Sequence, residues 1–149
     1  MKEKLLISSC LCGNCCKYNG GHNLLPQLDE LKEKYHLICV CPEVLGKLST
    51  PRPPSEIIKD NIVYNNIGQD VTKNFNLGAR LALVVANKNS VIKALLKEGS
   101  PSCGVYKIYD GTFSGTKIEG NGITTRLLKE NNIEVYSSDE VNILLGRDK

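Results

Sequence analysis

Leu5-Leu6-Ile7-Ser8-Ser9, then Leu24 to Lys34, then His36-Leu37-Ile38-Cys39-Val40-Cys41 is the stretch that decides the fold. The first and last of these segments are short apolar runs bounded by turn signals, the pattern of a buried strand. Between them Leu24, Leu25, Leu28 and Leu31 recur at three- and four-residue intervals among charges, the spacing of one helix face. Strand, helix and strand in that order form a βαβ unit. Gly13-Asn14 and Asn19-Gly20-Gly21 place a long loop after the first strand, Pro26 falls in the first turn of the predicted helix, and Pro42 stops the second strand.

Outward from this unit, Gly46 to Ser55 carries Pro51, Pro53 and Pro54 and is a loop, because proline removes donors and restricts the residue before it. Ile57 to Asn65 reads as a short hairpin. Asp70 is the expected N-cap of a long helix to about Asn87, with Leu77, Arg80, Leu81, Val84 and Val85 periodic. Val91 to Lys97 is a third strand, broken by Gly99-Ser100-Pro101-Ser102-Cys103-Gly104. Tyr106 to Gly122 is rich in turns, with Asp110-Gly111 and Asn121-Gly122 read as turn and cap chemistry. Ile123 to Asn131 is an amphipathic helix, Ile133 to Tyr136 a fourth strand, and Ser138 to Leu145 a capped closing helix. The expected fold class is α/β: residues 1–149 form a single domain with a mostly parallel sheet and helices on both faces, a Rossmann-like three-layer arrangement.

Charge narrows the partners. Nineteen basic and sixteen acidic residues are interspersed along the chain and leave a net charge of +3, which is no concentrated footprint for a nucleic-acid polymer. A small-molecule partner is expected. No apolar run approaches the roughly 18 residues of a membrane span, and Met1 to Ser9 lacks a cleavable leader pattern. The expectation is a cytoplasmic protein with no membrane contact, as a monomer or homodimer.

Seven cysteines, an odd number and too sparse for a disulfide scaffold, are the anomaly of the composition. In a reducing compartment they stay thiols, available for metal ligation, redox chemistry or burial as small hydrophobes. Ligands of parallel sheets bind at the carboxyl ends of the strands, and Cys10, Cys41 and Cys103 each fall at or just past the end of a different predicted strand. Three thiolates suit zinc or an iron-sulfur cluster; on a 4Fe-4S cube they would leave one iron without a protein ligand. Cys12-Gly13-Asn14-Cys15 and Cys39-Val40-Cys41 offer a rival grouping as a structural zinc site, although the usual knuckle turn is missing from the second pair. A thioredoxin-like role for Cys12 and Cys15 is disfavoured because no helix follows them. His22 and His36 are too isolated for a histidine-based metal site.

Other polar residues acquire meaning only beside these thiols. Glu43 follows Cys41 by two residues, within about 7 Å of whatever Cys41 binds, and suits general acid-base work; alone it would be a surface charge. In the Gly99 to Gly104 loop, Ser100 and Ser102 put two hydroxyls beside Cys103. Arg52, stiffened by Pro51 and Pro53, suits a polar substrate edge or a counter-charge.

Ser8-Ser9-Cys10-Leu11, Lys17-Tyr18-Asn19-Gly20, Cys41-Pro42-Glu43, Pro51-Arg52-Pro53, Asp70-Val71-Thr72, Ser100-Pro101-Ser102-Cys103-Gly104 and Tyr109-Asp110-Gly111-Thr112-Phe113 occur in this order. From about Leu5 to Val135 the sequence thereby resembles the thiouracil desulfidase family. The resemblance implies a small α/β enzyme with an oxygen-sensitive 4Fe-4S cluster on three cysteines, which removes sulfur from thiolated nucleobases without net redox change. The implied products are uracil and hydrogen sulfide. On this chain the implied cluster ligands are Cys10, Cys41 and Cys103, the catalytic pair is Glu43 and Ser100, and Ser102 and Arg52 are substrate-binding candidates. Departures from the family pattern are Lys17-Tyr18-Asn19-Gly20, where Arg-Tyr-Asp-Gly is common, and Lys47, where a second glycine is common. Cys12, Cys15 and Cys39 lie outside the signature, and Cys16 occupies a position that is only sometimes cysteine. An iron-sulfur sulfur carrier or transferase and a non-catalytic zinc-binding protein are the alternative readings.

Overall fold

Leu5, Leu6 and Ile7 are wholly buried in β1 (Glu3–Ser8), although consecutive strand side chains leave opposite faces of a sheet. Both faces of β1 are therefore covered, which is the condition of a central parallel strand. The computed structural model, which describes residues 2–147, continues through a 3-10 turn, Ser9–Cys12, to α1 (Leu28–Lys34), β2 (Tyr35–Val40) and a one-turn helix α2 (Pro42–Leu45). A hairpin of β3 (Ser55–Lys59) and β4 (Ile62–Asn65) precedes α3 (Thr72–Lys88) and β5 (Lys93–Leu96). A second hairpin, β6 (Lys107–Tyr109) with β7 (Lys117–Glu119), leads to α4 (Ile123–Glu130), β8 (Glu134–Ser137) and α5 (Val141–Leu144).

The main sheet is parallel with strand order β2-β1-β5-β8. The chain moves outward from β1 to β2, then returns past β1 to β5, so the topological switch point lies between β1 and β5. Leu6, Val40, Ala94 and Leu96 pack with Ala86 of α3 and Leu128 of α4 on one face. Leu5, Ile7 and Leu95 pack with Leu31 of α1 and Val141 and Leu144 of α5 on the other. The expected α/β class, with helices on both faces, is the observed one. Among the described residues no helix is long and apolar enough to cross a membrane.

Differences from the expected elements have local causes. The first helix begins at Leu28 instead of Leu24, and Pro26 precedes it: the Asn23 and Leu25 amides donate to the carbonyls of Cys10 and Leu11. Val71, one residue after the expected Asp70, is the N-cap of α3, and the Asp70 carboxylate accepts from the Thr72 amide at 2.9 Å. That helix buries Phe75, Gly78, Ala79, Ala82 and Ala86 and leaves Val84 exposed, so the small side chains face inward rather than the larger periodic ones. The β6–β7 hairpin inside the turn-rich segment has strands of three residues, too short to show periodicity.

The small face of α3 positions the functional region, because α2 lies directly on it. A Cβ at Gly78 would stand 1.9 Å from the Pro42 carbonyl oxygen, and one at Gly46 would stand 2.0 Å from that of Asn74. The Asn74 amide closes the contact by donating to the Gly46 carbonyl at 2.8 Å. Lys47 follows in the left-handed region at φ 71°, a backbone that a glycine, with no Cβ, adopts without opposition. Helix propensity alone would make Gly78→Ala stabilising by about 1 kcal/mol. The backbone contact reverses the sign: the substitution is expected to destabilise by about 1–3 kcal/mol, read as a lower urea midpoint.

Candidate active site

A cavity of about 530 Å³ opens at the carboxyl ends of β1, β2 and β5. Cys10 reaches it from the 3-10 turn after β1, Cys41 from the residue after β2, and Cys103 from the loop after β5. Cys10 and Cys103 are buried and Cys41 is half-buried. Each is set by local chain geometry. Gly13, at φ 90°, ends the first turn and donates its amide to the Cys10 carbonyl at 3.2 Å. Cys41 is the extended N-cap residue of α2, with Pro42 at the first helical position. Thr125 of α4 donates its hydroxyl to the Cys103 carbonyl at 2.9 Å.

Burial pushes the Cys10 thiol above its ordinary pKa, against the Asn23 side-chain amide, which donates to its sulfur at 3.5 Å. Burial also pushes up Cys103, reinforced by the nearby Cys10, Cys41 and Glu43, while the Ser8 hydroxyl opposes it. Among the described residues no three His, Cys, Asp or Glu side chains gather at one point as a single metal ion requires. The three thiols line the walls of the same cavity.

Glu43 shares the cavity with these thiols and is held on both oxygens. Arg52 Nε pairs with Oε1 at 3.0 Å, with both side chains largely buried, and the Ser100 hydroxyl donates to Oε2 at 3.5 Å. Ser100 Oγ in turn accepts the amides of Ser102 and Cys103 at 3.0 and 3.1 Å. With its oxygen engaged by two donors, its hydroxyl proton is left to point toward the carboxylate. Glu43, Ser100 and the Cys103 backbone thus form one connected network.

The sequence model of the 2-thiouracil desulfurase family matches residues 5–140, nearly the whole chain. The chain belongs to this family. A Bacillus subtilis (strain 168) relative described as uncharacterized protein YbbK is 41% identical over 150 residues, covering 95% of this chain and 99% of the relative. Among solved structures, the 4Fe-4S-dependent thiouracil desulfidase TudS superimposes with a TM-score of 0.90 at 43% identity, covering 96% of this chain and 95% of the other.

Within this desulfurase fold, two expected site residues have their polar atoms engaged by the protein itself. Ser102 is buried and its hydroxyl meets Thr124 Oγ1 at 2.8 Å, away from the cavity lining. The start of α4 draws it there, since the Thr124 amide also donates to the Ser102 carbonyl. Arg52 does line the cavity, but its donors are used within the protein: Nε on Glu43, Nη1 on the Ser49 carbonyl and Thr50 hydroxyl, and Nη2 on the Cys16 carbonyl at 2.8 Å. Through Nε it holds the Glu43 carboxylate in place.

The four cysteines of the rival zinc grouping do not assemble. Cys12 and Cys39 approach each other, but Cys15 is exposed and Cys41 turns into the cavity, its thiol donating to the Cys16 carbonyl at 3.8 Å. Cys16, Asn23 and Lys97 also line the cavity, without a motif to announce Asn23 or Lys97. Glu56 is a further residue that sequence reasoning missed: buried on β3, it accepts the amides of Gly111 and Phe113 and anchors the β6–β7 turn.

Glu98 organises the loop that carries Ser100 and Cys103. Its carboxylate accepts the amides of Gly99, Val105, Tyr106 and Lys107 at 2.8 to 3.1 Å. Burial alone would raise its pKa, but the backbone amides and the Ser137 hydroxyl hold it below the ordinary carboxylate value. Its contribution to stability is therefore complete above the unfolded value of about 4.3 and is lost as pH falls through the lower folded value. Glu98→Gln is expected to cost about 1–2 kcal/mol at neutral pH. Urea titrations of the two proteins should converge as pH falls below the folded-state value of Glu98.

Proposed function

We propose that this chain is a 4Fe-4S-dependent thiouracil desulfidase, which hydrolyses the thiocarbonyl of a thiolated nucleobase to the oxo base and hydrogen sulfide. The observation that carries this reading is a single cavity lined by Cys10, Cys41 and Cys103 together with the Glu43, Arg52 and Ser100 network. Three soft donors from three strand ends fit an iron-sulfur cluster, and Cys10, Cys41 and Cys103 would hold it. When bound on three thiolates, such a cluster supplies one iron without a protein ligand, a soft Lewis acid matched to a thiocarbonyl sulfur.

The protein's own residues handle water and protons. Oε2 of Glu43, the oxygen not engaged by Arg52, takes a proton from the water that adds to the thiocarbonyl carbon. Arg52 fixes the carboxylate plane through this step. The Ser100 hydroxyl, its oxygen held by the Ser102 and Cys103 amides, donates to Glu43 Oε2 and turns from it to the charge developing on the substrate once Oε2 has taken the water proton. As the carbon-sulfur bond breaks, Glu43 gives its proton to the leaving sulfur, then takes the second proton from the hydroxyl now on carbon and passes it to the departing hydrosulfide. The oxygen of water ends on carbon, both its protons end on hydrogen sulfide, and no electrons are gained or lost.

Anaerobic incubation of the loaded protein with 2-thiouracil tests this directly. Uracil and sulfide should appear in equal amounts with neither reductant nor sulfur acceptor present. Sulfide transfer that requires an acceptor would mark a sulfur carrier, and the absence of turnover would overturn the proposal.

A further inference from the structure

Cys12 and Cys39 lie outside the cavity lining and have no part in the chemistry above. Cys12 ends the 3-10 turn after β1; Cys39 lies on β2, an edge strand, opposite Ile7 of β1. Twenty-seven positions apart in the chain, the two thiols meet: the Cys39 thiol donates to the Cys12 sulfur at 3.1 Å. A disulfide bond needs about 2.05 Å between sulfurs, so closing it requires a shift of about 1 Å. Cys39 is exposed and Cys12 half-buried, which leaves the pair within reach of a solute.

We propose that Cys12 and Cys39 are a dithiol–disulfide pair, oxidised reversibly by a low-molecular-weight disulfide. The exposed Cys39, as thiolate, attacks one sulfur of that disulfide, forming a mixed disulfide and releasing one small thiolate. Cys12, as thiolate, then attacks the Cys39 sulfur, closing the protein bond and releasing the second small thiolate. Two protons leave the cysteines, and the two electrons they lose reduce the small disulfide to two thiols. The closed bond ties the turn that carries Cys10 to the strand that leads into Cys41, joining the carboxyl-end regions of β1 and β2. This inference goes beyond the proposed function and does not depend on it.

The full chain, loaded with its cofactor under anaerobic conditions, is treated with glutathione disulfide, alkylated and mapped by tandem mass spectrometry. The expected result is a dithiothreitol-sensitive link between Cys12 and Cys39 with glutathione retained on neither, and a higher thermal midpoint for the linked protein. Cys12→Ser should leave glutathione on Cys39 and abolish the rise in midpoint. Exposed Cys15 supplies the internal comparison, since it should retain glutathione in both proteins. Glutathione persisting on Cys39 of the unsubstituted protein, or a link from Cys39 to Cys10, Cys16 or Cys41, would overturn the proposal. Because the unsubstituted protein decides between these outcomes, the conclusion survives a folding failure of the variant.

Discussion

Serine in place of Cys10, Cys41 or Cys103 is expected to bleach the anaerobically loaded protein and reduce sulfide release from 2-thiouracil to background. A serine oxygen is a hard donor and a poor replacement for thiolate at an iron-sulfur cluster. On the proposed reading each substitution removes one of three thiolates contributed by separate strand ends. The fold should persist. Cys41 is half-buried, so Cys41→Ser disturbs little packing. Cys103 packs among Leu96, Val105 and Leu128, and a hydroxyl there costs about 1–3 kcal/mol unless it finds a partner. That is below the roughly 5–15 kcal/mol by which domains are stable. Visible absorbance, iron content and circular dichroism separate loss of the cluster from loss of the fold. Cys15→Ser, at an exposed position outside the cavity, should remain fully coloured.

Glu43→Gln is expected to keep the colour and lose the turnover, by about 10²–10⁴-fold, the range typical of a removed acid-base group. The amide preserves the shape and can still accept the Arg52 Nε–H, so Arg52 is not left unpaired. Glu43→Ala would be a poorer test, since an unpaired buried guanidinium costs about 3–5 kcal/mol and mixes stability with catalysis. Arg52→Lys should reduce turnover less than Glu43→Gln. It keeps a positive charge but loses the planar fork that joins Glu43, the Ser49 and Cys16 carbonyls and the Thr50 hydroxyl. Steady-state sulfide release with equal cluster loading is the measurement, and full activity of Glu43→Gln would remove Glu43 from the proton pathway.

The β1-α1-β2 core was legible in sequence because it is written in local patterns: short apolar runs and a helical stripe. The strand-end rule places Cys10, Cys41 and Cys103 at one edge of the sheet, and the cavity is lined by all three. What remained hidden depends on contacts between distant residues. A serine beside Cys103 reads the same whether it faces a ligand or a helix; Thr124, twenty-two positions away, decides for Ser102. Pro42 serves equally as the stop of a strand and the start of a helix, and the approach of Gly78 to its carbonyl makes room for α2. Local spacing pairs Cys12 with Cys15 and Cys39 with Cys41, whereas the fold pairs Cys12 with Cys39 across the βαβ unit. Glu98 and Glu56 look like ordinary charges in sequence because the amides they collect come from elsewhere in the chain.

The most direct measurement is an anaerobic visible spectrum of the reconstituted protein, taken with iron and acid-labile sulfide counts per chain. A brown chromophore with about four irons and about four sulfides, lost together in Cys41→Ser, is the predicted result. A colourless protein holding stoichiometric zinc, or a cluster that persists in full when Cys41 is replaced, would contradict it.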